Sequence, residues 1–580
     1  MKKNIKNIIA IILSIILVLF IWHTFLINGN TVILIILFLI FYNFFKQLLN
    51  KIEKRKVVIC SIISILFALI ELICTSINND YTLNNILDKW IILNFLGYAI
   101  LAWSSILLIY NMFENNNLQV KNIKLGKYEI LSDSNFSFFI NIVLILLAWL
   151  PYFLKYYPGL LTADSCAQIA QALGIAQLTN HHPIFHTGII SMFINTGKLF
   201  LGDMNKSVAL YIIFQMIAMA TAFSIVLKYI SKKNAPLIVR IVILLYYMFY
   251  PINALFSITM WKDILFAGII PIYVILTIEL INNPKNFLEK RKFIFYYVIV
   301  SILVMFLRNN GLYIVILNLP IIILILKKYW KKMITISLII LLMYFSLKTI
   351  IFGIFNVKNG SVGEMLSIPL QQIARTKKYH KEEMDIETIE KINKFFKCEN
   401  IEEKYNPIIS DPVKAELNSD YFDNNKIEFL KLWVKLLKEY FKDYVESFIS
   451  NSYGYYYPEA KYWVANRTME ENNMGISQHS LIKGKLVSKI DSIIEKRDIP
   501  IISMLFSIGM MFWMIVISLG YEILKKDYKN AISYFIIFVL WLTIIASPVF
   551  CEYRYAYPMF TTFPVYLSLN FAKKEKSKNK

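Results

Sequence analysis

PIFHTGIISMFINTGKLFLGD (183–203) is the stretch on which the architecture turns. It is apolar enough to cross a bilayer and short enough to lie along one. If it lies flat, every basic connector falls on one side of the membrane. These are Lys2, Lys3 and Lys6, KQLLNKIEKRK (46–56), Lys121, Lys124 and Lys127, Lys232-Lys233, Lys290-Arg291-Lys292, KKYWKK (327–332), Lys525-Lys526 and the tail KKEKSKNK (573–580). If it crosses, those connectors split between two faces and the positive-inside rule fails. The flat placement is therefore expected. It puts both termini in the cytoplasm and leaves the loop 156–206 and a polar insert, 356–498, outside.

Apolar runs recur along the whole 580-residue chain, which is 57% hydrophobic. A hydrocarbon core needs ~20 apolar residues per helix, and in lipid only helices or closed barrels satisfy the backbone. The runs predict an all-α polytopic membrane protein with about fourteen spans, their ends good to ~2–4 residues. The spans are 6–27, 31–46, 57–77, 90–112, 137–155, 207–229, 236–256, 262–282, 293–308, 311–326, 333–352, 499–523, 530–547 and 555–572. The first follows Met1-Lys2-Lys3 like a signal peptide, but no small-residue cleavage site follows it, so it reads as a retained helix. Four units result: an N-terminal four-helix addition (1–130), a membrane core (137–352), the insert (356–498), and C-terminal helices with a basic tail (499–580).

The net charge of +22 fits this layout. The insert from Val357 to Asp498 carries 22 Lys and Arg against 23 Asp and Glu, so the excess sits in the connectors. That pattern matches attraction to anionic lipid headgroups and excludes a nucleic-acid footprint. Five cysteines without a CxxC pair offer neither a disulfide nor a zinc framework.

The helices are nearly free of charge apart from Glu71, so polar groups at their ends stand out. Three of the six histidines, His181, His182 and His186, fall within YYPGLLTADSCAQIAQALGIAQLTNHHPIFHTG (156–188), beside the lone acid Asp164. Trp261-Lys262-Asp263, Arg308-Asn309-Asn310 and Glu552-Tyr553-Arg554 occupy the outer ends of other spans. In the insert, a helical reading of GEMLSIPLQQIARTKK (363–378) puts Gln371 and Arg375 on one face with Glu364. The insert reads either as a soluble domain packed on the membrane or as a lid and acceptor platform.

In these segments the chain resembles the GT-C superfamily of membrane glycosyltransferases. The resemblance is nearest to bacterial relatives of the protein O-mannosyltransferases and the lipid A aminoarabinose transferase. YPGLLTADS resembles their first outer loop with its acid, HHPIFHT their following histidine–proline stretch, and 183–203 their membrane-parallel helix. MWKD (260–263), FLRNNGLY (306–313) and EYRYAYP (552–558) extend the likeness over roughly 137–572. The resemblance implies a polyprenyl-phosphate-linked sugar donor, an extracytoplasmic acceptor and no nucleic-acid partner. Relatives often carry two adjacent acids. Here Ser165 follows Asp164, which leaves their divalent-metal requirement open for this chain.

Sugar transfer from a lipid phosphate needs a base for the acceptor hydroxyl and cations for the leaving phosphate. Asp164 is the expected base, with His181 and His182 beside it. Its alternative role is to cap a helix beginning near Ser165. Lys262, Asp263, Arg308, Asn309, Gln371, Arg375, Glu552 and Arg554 are the expected substrate-binding set. A transporter or lipid flippase is the competing class, marked by paired mid-span acids or inverted repeats.

Overall fold

The computed structural model describes residues 3–24, 31–50, 53–114, 123–125, 128–360, 362–496, 502–546 and 549–572. The basic residues Lys2, Lys121 and Lys127 and the tail from 573 lie outside the described residues. The first helices are α1 (Lys3–Thr24), α2 (Thr31–Asn50), α3 (Lys54–Asp80) and α4 (Ile91–Phe113). There follow α5 (Asn135–Lys155), α6 (Ala163–Ala172), α7 (Ile184–Leu201) and α8 (Met204–Lys232), then α9 (Leu237–Phe249), α10 (Pro251–Ser257) and α11 (Lys262–Asn282). A two-stranded antiparallel hairpin, Ile123–Leu125 with Tyr128–Ile130, departs from the all-helical expectation.

Among the described residues ten helices are long and apolar enough to cross a membrane, or eleven if the bent pair α9 and α10 is one span. The chain is a multi-pass helical membrane protein. The bend of 49° falls at Tyr250-Pro251, where proline removes a backbone donor and pushes its predecessor out of the helical region.

Among the described residues, several of the fourteen expected spans are short or broken helices. The expected spans 293–308 and 311–326 are helices of 17 and 15 residues, Arg291–Leu307 and Gly311–Ile325. At ~1.5 Å per residue these fall short of a ~30 Å hydrocarbon core. They stop where they do because the Arg308-Asn309-Asn310 link separates them, with Arg308 in an extended conformation. Span 499–523 is broken as well, into Ile502–Leu505 and the 17-residue Ile508–Leu524. Tyr553–Phe571 is long enough but holds two prolines and several polar side chains. The helix expected to lie flat, α7, is itself long and apolar enough to cross. It packs against the first part of α8, with Gly197 on Ser207 and Phe193 on Tyr211 and Phe214. A side chain at Gly197 would sit 2.6 Å from the Ser207 backbone, so the close approach needs glycine.

Burial identifies the centre. The apolar stretches of α11 and α8 are 78% and 61% buried, against 17% for α2. Lys262 and Asp263 at the start of α11 are thus set in the middle of the protein rather than on its lipid-facing rim. The N-terminal four helices join this body through α3 and α4: Phe67 packs on Trp513, Arg55 donates to the Ile523 carbonyl at 2.6 Å, and the Tyr110 hydroxyl donates to the Ile517 carbonyl at 3.0 Å.

The insert divides between two cores. Leu370, Ile373, Phe395, Leu417, Phe429 and Leu436 build a small core of their own. Tyr453, Tyr455, Tyr457, Tyr462 and Ile476 instead join the main core. The tyrosines of the aromatic loop 452–464 are therefore largely structural.

Candidate active site at the insert end of the bundle

Three short backbone bridges gather distant segments at one end of the bundle. Leu160 donates to the Ile258 carbonyl at 2.8 Å, and Met260 donates back to Leu160 at 3.0 Å. Trp463 donates to Cys551 at 3.1 Å while Tyr553 donates to Trp463 at 2.9 Å. Asn180 donates to Lys358 at 2.8 Å, with Lys358 donating to Leu178 at 3.0 Å. The first bridge needs Gly159, whose positive φ of 139° and 2.9 Å clearance to the Ile258 carbonyl exclude a side chain. Two further irregular segments of the insert donate through Glu470 and His479 to Leu161 and Tyr157.

Thr162 caps α6. Its N–H donates to the Ser165 hydroxyl at 3.1 Å, and that hydroxyl donates to the Met260 carbonyl at 2.7 Å. Asp164 is therefore not the cap. From the first turn of α6 it faces two cations: Arg554 Nη1 donates to Asp164 Oδ2 at 2.8 Å, and Lys262 Nζ stands 3.7 Å from the same oxygen. Lys262 Nζ also lies 2.9 Å from His182 Nδ1. An ammonium has no lone pair, so lysine donates and the imidazole accepts.

The cluster continues on the other side of Arg554. Its Nε pairs with Glu552, and its guanidinium lies 4.9 Å from both the Trp261 and Tyr555 rings. Arg308 takes the same Tyr555 ring at 4.5 Å and pairs with Asp263 at 3.2 Å. One tyrosine thus carries two arginines. Asp263 is fully buried in the first turn of α11, where the helix dipole favours an anion. Trp261 is held in place by its indole N–H, which donates to Thr162 Oγ1 at 2.7 Å.

Three cations, Lys262, Arg308 and Arg554, face three carboxylates, Asp164, Asp263 and Glu552. Burying such charges is tolerable only when each is paired. The Asp164 side chain is 31% exposed, against 7% for Glu552 and none for Asp263, so Asp164 is the acid a solute can reach. Burial pushes the Asp164 carboxyl up, but Lys262 and Arg554 outweigh it and hold it well below the usual carboxylate range. Burial, reinforced by Lys262, pushes His182 down to about 3, which keeps the imidazole neutral.

The sequence reading found seven of these groups: Asp164, His182, Lys262, Asp263, Arg308, Glu552 and Arg554. His181 is exposed and stacks edge-on against His182 at 4.6 Å. Asn309 reaches only the Asn180 carbonyl, at 3.3 Å. Gln371 and Arg375 are engaged elsewhere, which corrects their expected place in the site. Gln371 donates to the Asn406 carbonyl at 2.8 Å, and Arg375 is buried among Glu446, Asp443 and Tyr405. Their shared helix face points into the insert's own core.

A second polar network went unread. His186 lies between Gln168 (3.1 Å) and the Tyr211 hydroxyl (2.7 Å). Tyr211 donates to Gln215, whose amide donates to the carbonyls of Phe256, Ser257 and Thr259. It fixes the turn that delivers Lys262. Amides and hydroxyls inside apolar helices carry no charge signal, and only His186 stood out in the sequence.

The donor set does not fit a divalent metal. Among the described residues no three His, Cys, Asp or Glu side chains converge as ligands, and Asp164 and His182 both face Lys262.

A family model described as a family of unknown function (DUF6020) matches residues 173–580. The chain belongs to this DUF6020 family. The match includes His182, Lys262, Asp263, Arg308, Glu552 and Arg554 and begins nine residues after Asp164. No curated protein and no solved structure matches the chain.

Proposed function

We propose that this DUF6020 protein is a GT-C-type glycosyltransferase. It would move a sugar from a polyprenyl-phosphate carrier to an extracytoplasmic acceptor at the cell membrane, with both termini cytoplasmic. The reading rests on one observation: a solvent-reachable carboxylate, Asp164, is held by Lys262 and Arg554 at one end of a membrane bundle. A carboxylate so held is a poor base. A donor phosphate competes for the same two cations and, on binding, releases Asp164 from them. The carboxylate then accepts the proton of an acceptor hydroxyl as its oxygen bonds the anomeric carbon. The anomeric C–O bond to phosphate breaks, and the electron pair leaves with the polyprenyl phosphate, which Lys262 and Arg554 stabilise. Neutral His182 keeps Lys262 aimed between the two anions. Half-buried Tyr555 flanks Arg554 as a wall for the sugar, and the buried Trp261 ring backs the guanidinium.

The competing reading, a transporter or lipid flippase, draws on the charge balance of the cluster, which would suit an ion-pair gate. One experiment separates them. Proteoliposomes holding the full chain are supplied with a polyprenyl-phosphate sugar labelled in the sugar. Transfer predicts one free polyprenyl phosphate for each labelled acceptor. Movement of label across the bilayer with the sugar–phosphate bond intact favours the transporter and overturns the transferase.

A further inference from the structure

The N-terminal helices form a half-open cavity of about 700 Å³ that the proposed chemistry does not use. Lys6 and Lys54 stand at one end, and Ile9, Ile65, Ile100 and Trp103 wall the interior. The volume falls within the ~300–1,000 Å³ of small-molecule sites. From Lys54 to Ile65 it follows α3 for about 16 Å of helix rise, so the space is long as well as apolar.

Lys6 Nζ donates only to the Asn50 carbonyl, at 3.3 Å, and neither Lys6 nor Lys54 pairs with a carboxylate among the described residues. The next two cations are occupied: Arg55 donates to Ile523 and Lys56 pairs with Glu114 at 2.6 Å. Both lysines lie where α1 and α3 begin, and Lys54 belongs to the basic connector 46–56. A soluble phosphate would gain nothing from the apolar depth, and a neutral lipid nothing from the lysines. An anionic lipid uses both.

We propose that this cavity binds an acyl chain of an anionic glycerophospholipid, with its headgroup held by Lys6 and Lys54. The site is separate from the Asp164 cluster and does not depend on its function.

The test uses the purified full chain in neutral detergent, with phosphatidylglycerol and phosphatidylcholine of identical chains, and native mass spectrometry to count retained lipid. Wild type should retain phosphatidylglycerol preferentially. Two lysines near an anionic headgroup are together expected to account for about a 30-fold preference, which Lys6→Gln/Lys54→Gln should abolish. Ala99→Phe, which fills the cavity wall, should reduce retention of both lipids. If that variant fails to fold, the lysine pair at the exposed end still decides. Equal retention of the two lipids by wild type, or an unchanged preference in the double lysine variant, overturns the proposal. So does full displacement of lipid by glycerol phosphate lacking chains.

Discussion

Arg554 Nη1 donates to Asp164 Oδ2 at 2.8 Å across 390 residues of chain. The contact joins the first turn of α6 to the start of the helix Tyr553–Phe571 and makes Asp164 part of a charge-balanced cluster instead of a free surface acid. Because Thr162 and Ser165 cap α6, the Asp164 carboxylate has no local structural duty that would compete with a chemical one.

Asp164→Asn should therefore leave the fold intact and lower sugar transfer by ~10²–10⁴-fold, the range for loss of a general base. Transfer of labelled sugar in membranes with matched expression reads this out. Wild-type turnover in the Asn form would remove Asp164 from the mechanism.

Arg554→Met should destabilise the protein, because it leaves Glu552 buried and uncompensated. Breaking such a pair costs ~3–5 kcal/mol. Adding Glu552→Gln should recover part of that loss, as expected for residues in one network. Thermal unfolding of the two single variants and the double variant measures the coupling; additive losses would mean that the pair does not act as a unit.

In the insert, burial is the largest single influence on His380 and lowers its pKa, but the hydrogen bonds and charges of Glu383 and Asp443 together outweigh it and raise the pKa above 6.5. A raised histidine pKa stabilises the folded state fully below the unfolded value, and the benefit is lost as pH rises through the folded value. The insert should thus lose stability on going upward from about pH 6.5. His380→Gln should flatten that dependence, which hydrogen exchange of 367–452 at several pH values would detect. An equal slope in the variant would assign the dependence to other groups.

The expected sidedness can be checked directly. Single cysteines at Lys232 and Lys328 should resist a membrane-impermeant maleimide applied from outside, whereas one at Lys431 should react. Labelling at Lys232 or Lys328 in intact cells would invert the proposed topology and place the Asp164 cluster in the cytoplasm.

Several features of the site were legible because charge is costly in lipid. Asp164, Lys262, Arg308 and Arg554 stood out as the few ionised groups at the ends of apolar runs, and all four meet at one end of the bundle. Gln371 and Arg375 were misassigned because helical periodicity shows which residues share a face but not what that face meets. Theirs meets Tyr405, Asp443 and Glu446 in a separate core. Apolar composition likewise showed where Arg291–Leu307 and Gly311–Ile325 form and nearly where they end, but not that the span 499–523 breaks between Leu505 and Ile508.

By itself, the sequence determined a multi-pass helical protein with basic connectors, a neutral insert and a sparse set of polar helix ends. These follow from local hydropathy and from the backbone's need to satisfy its own hydrogen bonds in lipid. The tertiary structure alone decided that Tyr555 lies between Arg308 and Arg554 and that Lys262 is shared by Asp164 and His182. Those pairings join segments that lie far apart in the chain, 80 residues for Lys262 and His182, brought together by backbone bridges at Leu160, Trp463 and Asn180. No local pattern encodes them, because the partners become neighbours only once the helices have packed.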